Sequence, residues 1–271
     1  MRVPEERPDA DETSAQQVSP AHRERDDGSR LRLERIDAVF LDAGNTLVGM
    51  DLELLAERLA TRGLSASPAR IGRAEAAARP AVSRRLAEGV SSEARDTFTF
   101  YIRSTLQKLD LEQDASLDLD AVAADLAREL KSLVTTRALW SRVLPGVPEA
   151  LAALRELGCR LLVVSNSDGS IERGLVDMGL AAFFDGVVDS AVVGVEKPDP
   201  RIFRQALALA GSAPERTAHV GDLYAVDVVG ARAAGLHGIL LDPYDDWPDV
   251  DCPRFADLSA LARAAGEARR A

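Results

Sequence analysis

Cysteines and long apolar runs, which mark particular classes of protein, are scarce in this 271-residue sequence. Its two cysteines, Cys159 and Cys252, are far apart and lack metal-ligand spacing, so we expect reduced thiols and no disulfide framework. No apolar run approaches the length that spans a bilayer, which argues against a membrane protein. Together with the lack of an apolar segment near residue 1, these features are typical of a cytoplasmic protein.

Acidic residues outnumber basic residues in this sequence. The 33 Lys and Arg residues against 44 Asp and Glu give a formal net charge of −11. Nucleic acids and anionic membranes are bound through basic faces, so we expect neither as the main partner. A small phosphorylated ligand stays open, because a local cationic pocket can outweigh a distant negative field.

The chain divides into a polar tail and an alternating region. Residues 1–34 contain almost no large apolar side chains, so we predict a disordered tail. From Ile36, strands alternate with helices, one of which is expected to begin where the Asp199 cap precedes Pro200. This alternation predicts an α/β fold with a parallel sheet flanked by helices. Five strands are expected, at 37–42, 159–166, 183–190, 217–222 and 237–242.

One long interval breaks the alternation. Residues 51–140 contain no convincing strand and show helical periodicity, which predicts an inserted all-helical module. We interpret its aromatic group, Phe98, Phe100 and Tyr101, as a small packing core rather than as a ligand-facing cluster. The domain prediction is therefore a core formed by 35–49 and 145–271, with a helical module at 50–144.

Polar residues follow several of the predicted strands. Asp42 ends the first strand, Ser165 and Asn166 end the second, and Asp222 ends the fourth. In open parallel sheets, ligands gather at the carboxyl ends of the strands. Two carboxylates from separate strands can chelate a hard cation such as Mg²⁺. A hydroxyl, turn amides and the ammonium of Lys197 would supply the donors and positive charge that a phosphoryl group needs.

The motifs FLDAGNTL, VVSN, GVEKPDPRIF and HVGDLYAVDVVGARAAG occur in this order along the chain. Over residues 36–245 this set resembles the haloacid dehalogenase superfamily. The resemblance implies a Rossmannoid core with a helical cap inserted after the first strand. It also implies a Mg²⁺-dependent reaction through an aspartyl-phosphate.

The resemblance further implies roles for the residues that match the motifs. Asp42 would be the nucleophile and a metal ligand, and Lys197 would bridge it to the phosphoryl group. Asp222 would bind the metal, Asp227 would bind it or orient its waters, and Gly44 would offer a backbone carbonyl.

The phosphoryl group would meet a second set of residues. Ser165 would donate its hydroxyl, and Asn166 its backbone amide. The turn residues Gly44 and Asn45 complete the predicted phosphate-binding set.

Gly44 departs from the phosphatase pattern of this family, in which a second aspartate protonates the leaving oxygen. Glycine at this position keeps the backbone carbonyl for the metal but removes the acidic side chain. Asp51 is a disfavoured substitute for that acid, because it is expected to cap a helix. Three alternatives to a phosphatase stay open. They are a metal-free dehalogenase, which would carry tyrosine at this position, a phosphonoacetaldehyde hydrolase with a cap lysine, and a catalytically weak binding protein. Retention of Asp42, Asp222, Asp227 and Lys197 favours a phosphatase acting on a small phosphorylated metabolite.

Overall fold

Six short parallel strands form the central sheet of the protein. They are β1 (Ala38–Leu41), β4 (Arg160–Ser165), β5 (Gly186–Asp189), β6 (Thr217–Gly221), β7 (His237–Leu241) and β8 (Arg254–Phe255). Their order across the sheet is β5-β4-β1-β6-β7-β8. This computed structural model describes residues 31–91, 94–109, 118–134, 139–247 and 249–271. The five predicted strands are confirmed, and β8 is an additional two-residue strand.

Ten α-helices accompany the strands within the described ranges. They are α1 (Leu52–Ala60), α2 (Pro68–Ala87), α3 (Arg95–Lys108), α4 (Leu119–Val134), α5 (Val147–Glu156), α6 (Ile171–Asp177), α7 (Ser190–Val193), α8 (Pro200–Ala210), α9 (Val229–Ala233) and α10 (Leu258–Arg270). The Asp199 side chain accepts a hydrogen bond from Arg201 N, which confirms the predicted start of α8. None of these helices is long and apolar enough to cross a bilayer.

The central strand β1 is buried on both faces. Val39 and Leu41 belong to one hydrophobic cluster with residues of α5 and α10, whereas Ala38 and Phe40 belong to another with residues of α8. Since side chains alternate along a strand, this division places helices on both sides of the sheet. The predicted α/β class is confirmed.

A two-stranded ribbon connects the sheet region to the helices α1–α4, which we call the helical insert. Its strands are β2 (Val48–Met50) and β3 (Trp140–Val143), which pair antiparallel. The sequence did not predict this ribbon, because each strand is too short to show alternation and its partner lies about ninety residues away. The insert has its own buried cluster, which includes Leu55, Leu59, Ile71, Leu126 and Leu130.

The predicted tail lies mostly outside the described residues, which begin at Leu31. Leu33–Arg35 forms a 3₁₀ turn, and Leu31 and Leu33 pack against the cluster beneath β1. The last four residues assigned to the tail therefore contribute to the folded part.

Candidate active site

A cavity of about 680 Å³ opens at the carboxyl ends of β1, β4 and β6. All eight predicted site residues line it: Asp42, Gly44, Asn45, Ser165, Asn166, Lys197, Asp222 and Asp227. Most of them lie at a strand end or directly after it, because parallel strands deliver their carboxyl ends to one edge. Lys197 instead lies between α7 and α8, and Asp227 lies in the π-helical turn Tyr224–Val228. The structure thus brings together residues that are up to 185 positions apart, while their individual roles stay predictions.

Lys197 is the buried cation at the centre of this cavity. Its Nζ lies 2.6 Å from Asp42 Oδ1 and 2.7 Å from Asp227 Oδ1, and the residue is only 3% exposed. Burial alone would lower the pKa of Lys197, but the two carboxylates raise it above its usual value. The ammonium therefore stays charged beside Asp42.

The side chain of Asn166 holds the backbone of Lys197. Asn166 Oδ1 accepts from Lys197 N at 2.7 Å, and Asn166 Nδ2 donates to Lys197 O at 2.9 Å. Sequence reasoning assigned Asn166 only a backbone contact to phosphate. The two side-chain bonds fix the loop that carries the lysine, so Asn166 also positions Lys197.

Asp227 has both carboxylate oxygens engaged. Oδ1 accepts from Lys197 and from His219 Nε2 at 3.0 Å, and Oδ2 accepts from Leu223 N at 2.9 Å. Burial would raise the pKa of Asp227, but Lys197 and the His219 bond lower it below its usual range. Burial lowers the pKa of His219 to about 4, so the ring is neutral. These contacts support a role in holding Lys197, and the predicted contact with metal stays a prediction.

Asp222 contacts the helical insert. Its Oδ2 accepts from Asn45 Nδ2 at 3.0 Å and lies 3.4 Å from the Nε of Arg79 on α2. Arg79 in turn donates to Glu75 at 2.9 and 2.6 Å. Tyr101 on α3 also donates to Glu75, and Asn45 Nδ2 lies 3.0 Å from Glu75 Oε1. A buried polar network therefore joins the strand-end loops to α2 and α3.

Asn45 already uses its side-chain and backbone amides in hydrogen bonds to neighbouring residues. Its Nδ2 also donates to Tyr101 Oη at 3.2 Å, and its backbone N donates to Val48 O at 2.7 Å. Its φ of +52° is tolerated by asparagine better than by most residues. The predicted contact of Asn45 with phosphate stays a prediction, and it would require some of these bonds to be released.

Four residues of this site were not predicted as site residues: Glu75, Arg79, Tyr101 and His219. A usable signal existed for Glu75 and Arg79, because an acid and a base at i, i+4 share a face with the buried Ile71 and Val82. His219 lies inside β6, where its imidazole looks like one more buried side chain. Its role depends on Asp227 eight residues later.

The interpretation of the aromatic group as packing alone was wrong in part. Phe98 and Tyr101 line the cavity, although Tyr101 also belongs to the buried cluster of the insert. Phe100 does not line the cavity, and its ring instead lies 4.7 Å below the Arg85 guanidinium. Helical periodicity identified a shared face but not what that face meets.

Negative charge is in excess around the cavity. Among the described residues, only Lys197 and Arg79 form ion pairs with the four carboxylates of Asp42, Glu75, Asp222 and Asp227. Burial raises the pKa of Asp222 to about 8, and the nearby carboxylates add to this effect while Arg79 opposes it. Burial also raises the pKa of Asp42, against the effect of Lys197. When all four carboxylates are ionised, a surplus of two negative charges remains, which fits a divalent cation.

The donor atoms available for such a cation are few. Among the described residues, no three His, Cys, Asp or Glu side chains are grouped to hold a metal ion. Asp42, Asp222 and the carbonyl of Gly44 remain as a partial set of hard oxygen donors, which suits Mg²⁺ because it keeps several waters. The residues present therefore fit this cation.

Among the described residues, Asp51 does not replace the acid that is missing at Gly44. Asp51 accepts from Leu54 N at 3.1 Å as the cap of α1 and pairs with Arg142 at 3.3 Å. It does not line the cavity. The space next to Gly44 is bordered by Trp140, whose ring atoms would lie 3.8 Å from an added Cβ.

Comparison with known protein families identifies the class that this fold and cavity represent. Residues 36–235 match the family model of haloacid dehalogenase-like hydrolases. The chain belongs to that family.

Several known proteins are similar to this chain. Haloacid dehalogenase-like hydrolase domain-containing protein 3 from Mus musculus is 46% identical over 124 residues, 45% of this chain and 49% of that protein. Phosphoserine phosphatase from Thermus thermophilus is 40% identical over 121 residues, 44% of this chain and 49% of that protein. The chain thus spans about half the length of these curated relatives.

The fold likeness extends further than the sequence likeness. The crystal structure of the putative HAD-hydrolase YfnB from Bacillus subtilis, bound to magnesium, has a TM-score of 0.58 and 19% identity. The match covers 85% of this chain and 99% of that one. At this identity the likeness establishes the fold but no shared substrate.

Proposed function

We propose that this protein is a Mg²⁺-dependent phosphomonoester hydrolase that acts on a small phosphorylated metabolite through an aspartyl-phosphate on Asp42. The observation that carries the proposal is the charge arrangement in the cavity. Lys197 lies 2.6 Å from Asp42, yet a surplus of two negative charges remains around Asp42 and Asp222. A metal-free attack on carbon would leave this surplus without compensation. The phosphatase names of several relatives agree with the proposal.

In the first step, a carboxylate oxygen of Asp42 attacks phosphorus. A new O–P bond forms, and the bond between phosphorus and the leaving oxygen breaks, with the electron pair going to that oxygen. Lys197 keeps the attacking carboxylate ionised and offsets charge on the phosphoryl oxygens. Asn166 holds the backbone of this lysine, and Asp227 holds its ammonium.

In the second step, water attacks the phosphorus of the aspartyl-phosphate. The Asp42 O–P bond breaks, inorganic phosphate is released, and the carboxylate is regenerated. The hydroxyl of Ser165, 4% exposed at the end of β4, would donate to a phosphoryl oxygen in both steps.

Asp42, Asp222 and the Gly44 carbonyl would hold the Mg²⁺ ion. When bound, Mg²⁺ supplies positive charge that offsets the negative charge of the phosphoryl group. The Arg79 guanidinium beside Asp222 belongs to the insert, so the insert also contributes positive charge near these donors.

Gly44 offers no carboxylic acid to the leaving oxygen, and Asp51 caps a helix outside the cavity lining. Its proton would come from water. The insert, acting as a cap, would exclude other water from the cavity and select the leaving group. We therefore expect rates to depend steeply on the basicity of the leaving group.

The proposal is tested by the hydrolysis of p-nitrophenyl phosphate and of a panel of small phosphoesters, with and without Mg²⁺. We expect turnover that requires the metal and is abolished by Asp42→Asn. Asp177→Asn, an exposed change on α6, is the matched control and should keep the activity. Metal-independent turnover of 2-haloacids would instead support a dehalogenase, and no turnover of either class would support a binding protein.

A further inference from the structure

The cavity at the candidate active site extends well beyond the space that a phosphoryl group occupies. From the insert and the residues that follow it, the walls are mostly apolar: Val82, Leu86, Phe98, Leu139 and Trp140. On the core side, Ile171 and Met178 continue this apolar lining. A leaving group that buries a flat, apolar body would gain most from these walls.

Lys131 on α4 is the one charged residue that the described part of the insert contributes to the cavity lining. Its Nζ lies 5.6 Å from the ring centroid of Phe98, which lines the same cavity. Among the described residues no carboxylate pairs with Lys131.

The position of Lys131 restricts where a second charge on the substrate could lie. Asp42 and Asp222 repel anions at the base of the cavity, and Asp168 does so on the core side. The ammonium above Phe98 is therefore the place where an anionic group on the leaving group would be attracted. The face of Phe98 keeps the ammonium oriented without neutralising it.

We propose that the substrate class is a phosphomonoester whose leaving group has a flat apolar body and carries a second anionic group, and that Lys131 binds this group. The proposal rests on the proposed function, since it places the phosphoryl group at Asp42. It deepens that function by adding an anion subsite on the insert.

The test compares two ligands of equal shape that differ in charge. 4-Carboxyphenyl phosphate carries the second anion, and 4-carbamoylphenyl phosphate replaces it with a neutral amide. Binding of each is measured by calorimetry on the Asp42→Asn protein, with and without the second change Lys131→Gln. We expect the carboxylate to bind at least about 10-fold more tightly than the amide, and Lys131→Gln to remove this preference.

Lys108→Gln serves as the matched control, since Lys108 is the other lysine of the insert, is exposed and does not line the cavity. We expect this change to keep the preference. Equal binding of the two ligands, binding of neither, or a preference that survives Lys131→Gln would overturn the proposal.

Turnover of the same two esters by the wild-type protein separates this inference from the proposed function. Selective binding without turnover would contradict the expected hydrolysis of these esters and would leave the anion subsite supported. Turnover without selectivity would overturn the subsite and leave the phosphatase supported.

Discussion

Removing the charge of Glu75 should destabilise the protein strongly. Glu75 is 4% exposed and accepts from Arg79, Tyr101 and Asn45, so Glu75→Gln keeps the shape but leaves the Arg79 guanidinium buried without its main counter-charge. Breaking a buried ion pair costs about 3–5 kcal/mol. Because Asp222 still lies 3.4 Å from Arg79, we expect the lower end, about 3 kcal/mol. The midpoint of thermal unfolding should then fall by about 6–12 °C for a protein of this size.

The assay is urea or thermal unfolding of the full chain, followed by circular dichroism. Glu57→Gln, an exposed change on α1, is the matched control and should shift stability by less than about 0.5 kcal/mol. In the double variant Glu75→Gln/Arg79→Met, the loss should be smaller than the sum of the two single losses by about 0.5–3 kcal/mol. A single loss below about 1 kcal/mol, or strict additivity, would refute the claim that this pair carries the network.

Three further predictions concern other parts of the chain. Gly44→Asp should raise the turnover of alkyl phosphomonoesters by about 10²–10⁴-fold over Gly44→Ala. Both variants should fold, because the added Cβ meets Trp140 at an ordinary 3.8 Å, and equal turnover would show that no acid is missing. Gly221→Ala should lower the free energy of unfolding by at least about 1–3 kcal/mol, because the added Cβ would lie 2.1 Å from Asp227 Cγ. Urea unfolding measures this loss, and a variant as stable as the wild type would contradict the crowding. Burial raises the pKa of Cys252 to about 11, so little of this thiol is ionised at pH 8. Alkylation by iodoacetamide at pH 8 should therefore be about 100-fold slower at Cys252 than in the urea-unfolded chain, and it should accelerate as pH rises. Equal rates would contradict the burial of this thiol.

The strand ends were predictable because the signals for them are local. An apolar run followed by Asp42, or by Ser165 and Asn166, marks the end of a buried parallel strand wherever it occurs. The topology of a parallel sheet then gathers those ends at one edge. All eight predicted site residues accordingly line one cavity.

The contacts between the insert and the core were not predictable in the same way. Glu75 and Arg79 show an i, i+4 pair, but nothing local indicates that the pair meets Asp222 about 140 residues later. The ribbon of β2 and β3 likewise exists only because two short, distant segments pair. Such contacts depend on how the insert folds back over the sheet.

Short stretches of sequence were enough to predict the class of fold, the strand-end residues and the lack of an acid at Gly44, because each depends on residue types within a short window. The folded chain was needed to find that Arg79 and Asn45 hold Asp222, that Asp227 and Asn166 hold Lys197, and that Phe98 faces a cavity. Hydrogen bonds and burial depend on distances in space, which no local pattern encodes. Periodicity fixes which side chains share a face, and packing alone fixes what that face meets.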